Sequence, residues 1–486
     1  MGMDTILAID QGTSATKAYL LTPEGGFHPA GVRQHRQSHP HPGWVEHDGE
    51  EILGHIRDLV GAAEEASAMA LANQGETVLA WDGRTKRPLA PAIVWQDGRT
   101  APEIARLRAA GAEALTIERA GLPLDPYFSA AKLAWLLQNA PEAGELRRAG
   151  RLRLGTSDAF LLDALTGVFA TDASTASRTS LMDLDLLTWD DELCAVFGVP
   201  MECLPTIRPS AGDFGALRRR GGRDLPVRAS LVDQQAALYG HGGRAAGDLK
   251  ITFGTGAFAL GLTGTRPRRQ TASGLIPTVA WRRGGAAVYA LDGGIFTAGA
   301  AVEWLLRVGL LEEYGALDQY RGAPVAERGL FFVPAQAGLG APYWDRSARG
   351  AWLGLDLATS RLDLCRAVVE GIGFRAAELV GALGAAIGEE GRVSVDGGLT
   401  RSASFVQFLA DALARPVAVA QSTDMTAFGV AWFCRDGADK ATRVREPAGA
   451  NWRLVLPRDG SAPELREAFA AAVAKVRGRG GPVEEG

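Results

Sequence analysis

A short loop near the amino terminus has the composition of a phosphate-binding turn. Asp10-Gln-Gly-Thr-Ser14 lies between the apolar runs Ile6–Ile9 and Ala18–Leu21, which predict a buried β-hairpin. Glycine and small hydroxyl residues allow backbone N–H groups to point into a concavity, and Thr13 and Ser14 add hydroxyl donors. The loop therefore predicts phosphate binding, although an ordinary hairpin with a polar turn would have a similar composition.

Two charged residues extend this prediction to a nucleotide with its metal ion. Lys17 can supply a positive charge to a phosphate group. Asp10 can hold Mg²⁺ through water, because Mg²⁺ keeps part of its hydration shell. A second loop, Gly254-Thr-Gly256, follows another buried strand at Leu249–Phe253, and Asp396-Gly-Gly398 precedes a helix. Loops from both halves of the chain could therefore hold one nucleotide from two sides.

Several function classes are excluded by motif and composition. No G-x-x-x-x-G-K-[ST] segment occurs, so the chain is not a P-loop enzyme, and no G-x-G-x-x-G opens a helix after a strand. The net charge of −5 argues against nucleic acid as a partner, since nucleic-acid-binding proteins carry a basic face. Four cysteines without a C-x-x-C pair argue against a disulfide framework and against a thiolate zinc site.

Strands that alternate with helices predict an α/β fold for both halves of the chain. We predict helices at 50–70, 129–137, 296–308, 362–384 and 404–414, and strands at 77–81, 93–95, 249–253, 257–260 and 393–395. Each half contains a strand, a turn with glycine and threonine, and a returning strand, which indicates a weak internal duplication. At 486 residues, the chain is too long for a single compact core. The glycine-rich break Gly240–Gly243 predicts two domains, 1–241 and 242–486.

The amino-terminal residues and the hydropathy pattern favour a cytoplasmic protein. No basic segment precedes a long apolar stretch there, as a signal peptide would require. No segment reaches the roughly 18 uncharged apolar residues that a membrane span needs. We therefore expect a cytoplasmic location, which also fits the cysteine pattern. The sequence leaves open whether the protein forms a homodimer or a homotetramer.

The order of several further motifs is similar to that of the FGGY carbohydrate kinase family. The similar segments extend over residues 5–435 and include His41–Asp48, Ala92–Asp97, Pro123–Asn139, Ala176–Thr179, Asp233–Leu238 and Gly338–Asp345. One such motif could arise by chance, but this many in one order could not. The resemblance is closest to the glycerol kinase branch. It implies two ribonuclease H-like domains, as in actin-like ATPases, that flank a central cleft.

The resemblance also implies roles for individual residues. Asp233 aligns with the catalytic base, which accepts the proton of the attacking hydroxyl, and it can also cap a helix beginning at Gln234. The polyol would bind to Glu76, Trp95, Tyr127, Asp233, Gln234 and Phe258. ATP would bind to Thr13, Ser14, Lys17, Thr255, Gly299, Val302, Glu303, Gly398 and Ser402. Trp95 and Phe258 could instead be core residues, which is common for single aromatic residues in strands.

Some positions depart from the glycerol kinase pattern. Gly75 and Gly98 replace arginines, Lys17 replaces a third, and Glu303 and Ser402 replace amides. A lost charged hydrogen bond costs about 1.5–3 kcal/mol. Glycerol would then be used weakly, or the two glycines would leave room for a larger substrate.

The resemblance implies ATP-dependent phosphorylation of a small polyol, with glycerol converted to glycerol 3-phosphate. The alternative within the family is a kinase for a larger polyol or a ketose of the xylulose or ribulose type. A remote alternative is an actin-like or Hsp70-like ATPase without a sugar substrate, which would make the polyol-binding residues coincidental. ATP, Mg²⁺ and a small polyol or sugar are thus the expected ligands.

Overall fold

Two lobes make up the computed structural model, which describes residues 5–219, 222–269, 274–319, 322–422, 424–437, 452–458, 460 and 462–478. The strands of the first lobe are β1 (Ile6–Gln11), β2 (Ala15–Leu21), β3 (Phe27–Gln34), β4 (Gln37–Ser38), β5 (Glu46–His47), β6 (Ala68–Asn73), β7 (Val78–Asp82), β8 (Ala92–Ile93), β9 (Leu152–Thr156), β10 (Ala170–Asp172), β11 (Met182–Asp183), β12 (Thr188–Trp189), β13 (Thr206–Arg208), β14 (Ala216–Leu217) and β15 (Leu225–Val232). Its helices are α1 (Gly49–Ala62), α2 (Ala101–Ala109), α3 (Glu113–Arg119), α4 (Ser129–Asn139), α5 (Ala143–Arg148), α6 (Ser157–Thr166), α7 (Ala173–Ala176), α8 (Asp191–Phe197) and α9 (Asp233–Gly240), with a 3₁₀ turn at Met201–Cys203.

The second lobe follows the same plan with fewer small sheets. Its strands are β16 (Leu249–Phe253), β17 (Ala257–Gly264), β18 (Ile276–Arg283), β19 (Ala286–Ile295), β20 (Phe331–Val333), β21 (Ala351–Leu353), β22 (Val393–Gly397), β23 (Val417–Ala420) and β24 (Trp452–Val455). Its helices are α10 (Gly299–Arg307), α11 (Arg361–Ile387), α12 (Ala403–Leu413), α13 (Met425–Asp436) and α14 (Ala462–Val476), with 3₁₀ turns at Tyr314–Gln319, Val325–Arg328 and Gly398–Arg401.

The main sheets of the two lobes have the same topology. In the first, with strand order β14-β15-β6-β1-β2-β3, β2 lies antiparallel to β1 and β3, whereas β6 and β15 continue the sheet in parallel. In the second, with order β18-β19-β17-β16-β22-β23-β24, β17 lies antiparallel to β16 and β19, whereas β22 and β23 continue in parallel. The predicted α/β fold of two ribonuclease H-like lobes is confirmed, and the indicated duplication is visible in this topology.

The central strands are buried on both faces because helices cover both faces of each main sheet. Along β1, Leu7 and Ile9 pack against residues of α1 and α6, whereas Ile6 and Ala8 pack on the opposite face with residues of α9 and α13. This alternation follows from the two-residue period of a strand. The apolar cluster on the α9 and α13 side also contains Leu260 of the second lobe, so the lobes share part of a core.

A close helix crossing joins the lobes where the chain passes from one to the other. A Cβ atom at Gly429 would lie 1.8 Å from the Ala236 carbonyl oxygen, and one at Gly240 would lie 2.4 Å from the Met425 carbonyl oxygen. Both glycines are therefore required by the approach of α9 to α13. In the described part of the chain, no helix combines the length and the apolar character that a membrane crossing requires.

Two secondary-structure predictions are wrong in their bounds. The helix predicted at 50–70 ends at Ala62, and Ala68–Asn73 forms the strand beside β1. Alanine and methionine favour helix locally, but this segment is fully buried between two strands, and burial in a sheet outweighs that weak preference. The strand predicted at 93–95 is confined to Ala92–Ile93.

Candidate functional site

A cavity of about 170 Å³ lies between the lobes. We call it the polyol cavity; it is lined by Thr13, Gly75, Glu76, Trp95, Tyr127, Arg178, Val232, Asp233, Gln234, Gln235, Phe258, Leu260 and Asp292. The structure thus brings together all six residues predicted to bind a polyol, from segments as distant as residues 76 and 258. Thr13 adds the first phosphate loop to the same cavity.

Asp233 is the first residue of α9, directly after the buried strand β15. The helix begins one residue earlier than predicted, with Val232 rather than Asp233 as its N-cap. The Asp233 carboxylate still accepts a hydrogen bond from the Gln234 N–H, at 2.6 Å. Burial, reinforced by the nearby Glu76 carboxylate, raises the pKa of Asp233 to about 6. A carboxylate with a pKa close to neutrality suits proton transfer from a hydroxyl group.

Arg178 holds two carboxylates at the wall of this cavity. Its Nε donates to Glu76 Oε1 at 2.6 Å, and its Nη2 lies 3.1 Å from Asp292 Oδ2. Arg178 is 3% exposed, and its Nη1 has no hydrogen-bond partner among the described residues. Burial lowers the pKa of the guanidinium, but the two carboxylates outweigh that effect and raise it. Arg178 belongs to the family motif Ala176–Thr179, but the sequence indicated no role for Arg178 and none for Asp292.

Lys132 supports the cavity from behind. It is fully buried on α4, and its Nζ donates to the carbonyl oxygens of Tyr127 at 2.8 Å and Glu76 at 3.2 Å, with those of Val94 and Trp95 at 3.5 Å. Burial lowers the pKa of Lys132 to about 7. Glu76 has a left-handed backbone conformation, with φ of 58°, which such surrounding contacts must maintain. Lys132 therefore positions the backbone of three predicted polyol-binding residues.

Three aromatic rings also line the polyol cavity. Trp95 and Tyr127 contact edge to face, with ring centroids 5.7 Å apart, and Phe258 lines the same space. The Trp95 indole N–H donates to the Thr13 hydroxyl at 3.0 Å. Burial raises the pKa of Tyr127 well above its usual value, so its phenol remains a hydrogen-bond donor. Trp95 and Phe258 are partly exposed toward the cavity and are not core residues.

Asp10 and Lys17 lie opposite each other in the antiparallel register of β1 and β2. Burial, together with the negative charge of Asp233, raises the pKa of Asp10 to about 7. Lys17 Nζ lies 2.7 Å from Asp424 Oδ1 at the start of α13, so its charge is shared with the second lobe. Asp10 and Asp233 are close enough for their charges to interact, and carboxylate oxygens are ligands that a divalent cation prefers. Among the described residues, no group of three His, Cys, Asp or Glu side chains could hold a metal ion alone.

Two of the residues predicted to bind ATP, Thr255 and Gly398, follow the carboxyl ends of the neighbouring strands β16 and β22. The Gly299 N–H donates to the Gly254 carbonyl at 2.9 Å, and the Ala300 N–H donates to the Thr255 carbonyl at 3.0 Å. The Gly254–Gly256 loop therefore rests on the amino terminus of α10, and it pairs these two N–H groups with its own carbonyls. Gly398 is exposed in the turn after β22, the parallel neighbour of β16.

The remaining predicted ATP contacts differ in how their side chains are placed. Ser14 is exposed in the first loop, and Glu303 is exposed on α10. Val302 is fully buried in the core of the second lobe. The Ser402 hydroxyl donates to Asp318 Oδ1 at 2.7 Å and caps α12. The side chain of Val302 therefore faces away from any nucleotide, and Ser402 already has a structural use.

Lys250 is a further buried charge that the sequence analysis missed. It is fully buried, and its Nζ donates to Gln234 Oε1 and, at 3.0 Å, to Thr252 Oγ1. Burial lowers its pKa. A lysine between the apolar residues Leu249 and Ile251 of a predicted buried strand was the available signal, since an unpaired charge is too costly to bury there. Lys250 positions Gln234, a residue of the polyol cavity.

The contact of Gly299 with the second phosphate loop leads to a prediction. A Cβ atom at Gly299 would lie 2.5 Å from the Gly254 carbonyl oxygen, so Gly299→Ala must displace the loop. We expect about tenfold weaker ADP binding, equivalent to about 1.4 kcal/mol, in isothermal titration calorimetry. The control Gly54→Ala lies in α1 with open space around its Cβ, and it should leave ADP binding unchanged and stabilise the helix by about 1 kcal/mol. Equal ADP affinity for both variants would contradict the prediction.

Comparisons with known proteins agree with this arrangement. Residues 5–240 match the N-terminal domain of the FGGY family of carbohydrate kinases, and residues 249–434 match the C-terminal domain of that family. Glycerol kinase from Thermus brockianus is 45% identical over 479 residues, which is 96% of each chain. Glycerol kinase from Alkalilimnicola ehrlichii is 43% identical over 445 residues, which is 88% of this chain and 89% of that one.

Solved structures show the same fold. The crystal structure of Plasmodium falciparum glycerol kinase with ADP superposes with a TM-score of 0.90 at 30% identity and covers 98% of both chains. The xylulose kinase from Rhodospirillum rubrum superposes with a TM-score of 0.85 at 24% identity and covers 97% of this chain and 98% of its own. At 24% identity, the comparison with the xylulose kinase shows only that the fold is shared.

Proposed function

Because the chain belongs to the FGGY family of carbohydrate kinases, we propose that it transfers the γ-phosphoryl group of ATP to glycerol and forms glycerol 3-phosphate. The family resemblance noted in the sequence is confirmed. The observation that supports glycerol is the polyol cavity, which combines the Asp233 and Glu76 carboxylates with three aromatic rings. Hydrogen-bond acceptors beside apolar walls suit a short carbon chain with hydroxyl groups.

In this proposal Asp233 is the catalytic base. A glycerol hydroxyl donates its proton to the Asp233 carboxylate while its oxygen attacks the γ-phosphorus of ATP. Glu76, Gln234 and the Tyr127 phenol orient the other hydroxyl groups. Trp95 and Phe258 contact the carbon atoms. Positioning of the two reactants accounts for most of the catalysis in phosphoryl transfer, and the shared walls of both lobes would exclude water.

The nucleotide would lie with its phosphates between the two phosphate loops, Asp10–Ser14 and Gly254–Gly256. Asp10, close to Asp233, would hold Mg²⁺ mainly through water, consistent with a site that has few protein carboxylates. When bound, Mg²⁺ neutralises the negative charge of the phosphate oxygens. The nine residues predicted to bind ATP keep that role as a proposal, with Val302 acting through its backbone.

The structure favours glycerol over a larger polyol or a ketose in the polyol cavity. A Cβ atom at Gly75 would lie 3.2 Å from a methyl group of Val232, so the glycine does not open a large space. The Gly98 N–H donates to the Gly43 carbonyl in a neighbouring turn, and Gly98 is not among the described residues that line the cavity. Gly75 replaces an arginine of the glycerol kinase pattern, but Arg178 supplies a guanidinium to this cavity.

A coupled ADP-release assay tests the proposal. With MgATP, we expect kcat/KM for glycerol to exceed that for xylulose and ribulose at least tenfold, and little ATP hydrolysis without an acceptor. A higher value for a ketose would favour the alternative kinase. ATP hydrolysis that does not depend on an acceptor would favour the remote alternative, an actin-like ATPase.

The pKa of Asp233 predicts an acid limit to activity. Because the base must be deprotonated, kcat/KM for glycerol should fall tenfold per pH unit below about pH 6. The folded protein binds this proton more tightly than the unfolded chain, so the same group makes stability decrease as pH rises from about 4 to 6. Acidification therefore does not unfold the protein through Asp233. Circular dichroism at pH 5 serves as the control, and a flat profile between pH 5 and 7 would contradict the prediction.

The cytoplasmic location and the state of assembly stay predictions. The four cysteines, Cys194, Cys203, Cys365 and Cys434, are all buried, which is compatible with a reducing compartment. Multi-angle light scattering would distinguish a homodimer from a homotetramer.

A further inference from the structure

A second chamber adjoins the polyol cavity. It has a volume of about 110 Å³, and we call it the side chamber. Four residues line both spaces: Tyr127, Arg178, Phe258 and Asp292. A molecule in the polyol cavity would therefore need to extend only past these residues to enter the side chamber.

Beyond the shared residues, the walls of the side chamber are mainly apolar. They are formed by Phe128, Ile276, Phe296 and Trp344, with the small residues Pro123, Gly293 and Gly294. Phe296 and Trp344 contact edge to face, with ring centroids 6.0 Å apart. Such walls suit an aliphatic or aromatic group and offer little to a further polyol unit, whose hydroxyl groups would lose their hydrogen bonds to water.

The charged residues of the side chamber form pairs within the chain. Arg178 Nη2 lies 3.1 Å from Asp292 Oδ2, where the two spaces meet. At the outer end, Arg346 Nη2 lies 3.8 Å from Asp125 Oδ2. Arg178 also donates to the Glu76 carboxylate, so neither group has a net positive charge that would attract a phosphate or a carboxylate. An uncharged ligand group is therefore favoured here.

The side chamber leads outward to the protein surface. Ile276, Pro123 and Trp344 also line a neighbouring cavity of about 400 Å³. Trp344 is 39% exposed, yet its indole N–H donates to the Gly274 carbonyl at 2.8 Å, which holds the ring at the entrance. An exposed, fixed tryptophan is a typical contact for an apolar ligand group.

We propose that the side chamber binds an apolar substituent on glycerol, so that the enzyme also phosphorylates glycerol ethers with a short alkyl or aryl group. This proposal rests on the proposed function. The glycerol part occupies the polyol cavity, and the ether substituent extends past Tyr127 and Phe258. The terminal hydroxyl oxygen of the ether forms the bond to the γ-phosphorus while the bond from that phosphorus to the leaving oxygen of ADP breaks. Asp233 takes the hydroxyl proton, and the products are ADP and the phosphorylated ether.

The first experiment compares glycerol with 1-O-benzylglycerol. ADP release is followed in a coupled assay, and the product is identified by mass spectrometry. We expect kcat/KM for the benzyl ether to lie within tenfold of that for glycerol. Turnover of glycerol without turnover of the ether, and without competitive inhibition by it, would overturn the inference alone. If glycerol itself is inert, the proposed function fails, and calorimetric binding of the ether to the protein decides whether the chamber takes it.

Two matched glycine variants test whether the ether substituent binds in the side chamber. A Cβ atom at Gly294 would lie 3.4 Å from the Phe258 ring, so Gly294→Val fills the side chamber without a backbone clash there. We expect kcat/KM for the benzyl ether to fall at least tenfold, with that for glycerol unchanged within twofold. Gly285→Val, in open space at the hairpin turn before β19, should change neither value.

A second variant guards against misfolding of the first. Trp344→Ala removes the wall at the entrance and should raise KM for the benzyl ether at least fivefold without a change in kcat or KM for glycerol. Equal losses for both substrates in Gly294→Val and in Trp344→Ala would overturn the proposal.

Discussion

Replacement of Asp233 by asparagine should lower kcat for glycerol by about 10²–10⁴-fold, the usual contribution of a general base. Asparagine has the same shape and still accepts the Gln234 N–H, so the amino terminus of α9 should remain intact. It cannot accept the proton of the attacking hydroxyl. KM for glycerol should change little, because the side chain still fills its place in the polyol cavity.

The control for this variant is Asp191→Asn. Asp191 is also the first residue of its helix, α8, but it is exposed and does not line the polyol cavity. Its substitution should leave kcat unchanged. Steady-state kinetics and thermal unfolding are measured on both variants. A kcat of Asp233→Asn within threefold of the unsubstituted enzyme would remove Asp233 from the reaction and would refute the proposed mechanism.

Replacement of Arg178 by methionine should lower both activity and stability. The variant leaves Glu76 and Asp292 without their cation, and the side chain of Glu76 is 5% exposed. Removal of one partner of a buried ion pair costs about 3–5 kcal/mol of the free energy of unfolding. Since Glu76 also orients the polyol, we expect kcat/KM for glycerol to fall at least about 10²-fold, equivalent to about 2.7 kcal/mol.

Two further variants separate the charge of Arg178 from its geometry. Arg178→Lys keeps the charge, but a lysine cannot bridge two carboxylates as a planar guanidinium does, so its activity should be intermediate. Arg147→Met breaks the exposed ion pair with Glu202, whose side chains are 46% and 65% exposed, and should cost less than about 1 kcal/mol. Chemical denaturation and steady-state kinetics measure both effects. An Arg178→Met enzyme as stable as Arg147→Met would contradict the prediction.

Much of the fold was accessible from the sequence because its signals are local. The hairpins β1–β2 and β16–β17 each consist of two short apolar runs around a turn of glycine and small hydroxyl residues, and both occur as predicted. The order of the family motifs then indicated the two-lobed architecture. Where a local signal conflicted with burial, as at Ala68–Asn73, the sequence predicted a helix and the sheet prevailed.

The sequence by itself therefore indicated the strands and turns of both hairpins, the family, and Asp233 as the candidate base. Only the tertiary structure decided which buried charges meet. Arg178 lies 102 positions from Glu76 in the chain, and Lys132 reaches the Glu76 carbonyl across 56 positions. No periodicity encodes such pairs, because each depends on how whole elements pack and on the high cost of a buried charge without a partner. The side chamber beside the polyol cavity is likewise a product of tertiary packing. It is a space between the two lobes, and the local structure of neither lobe specifies it.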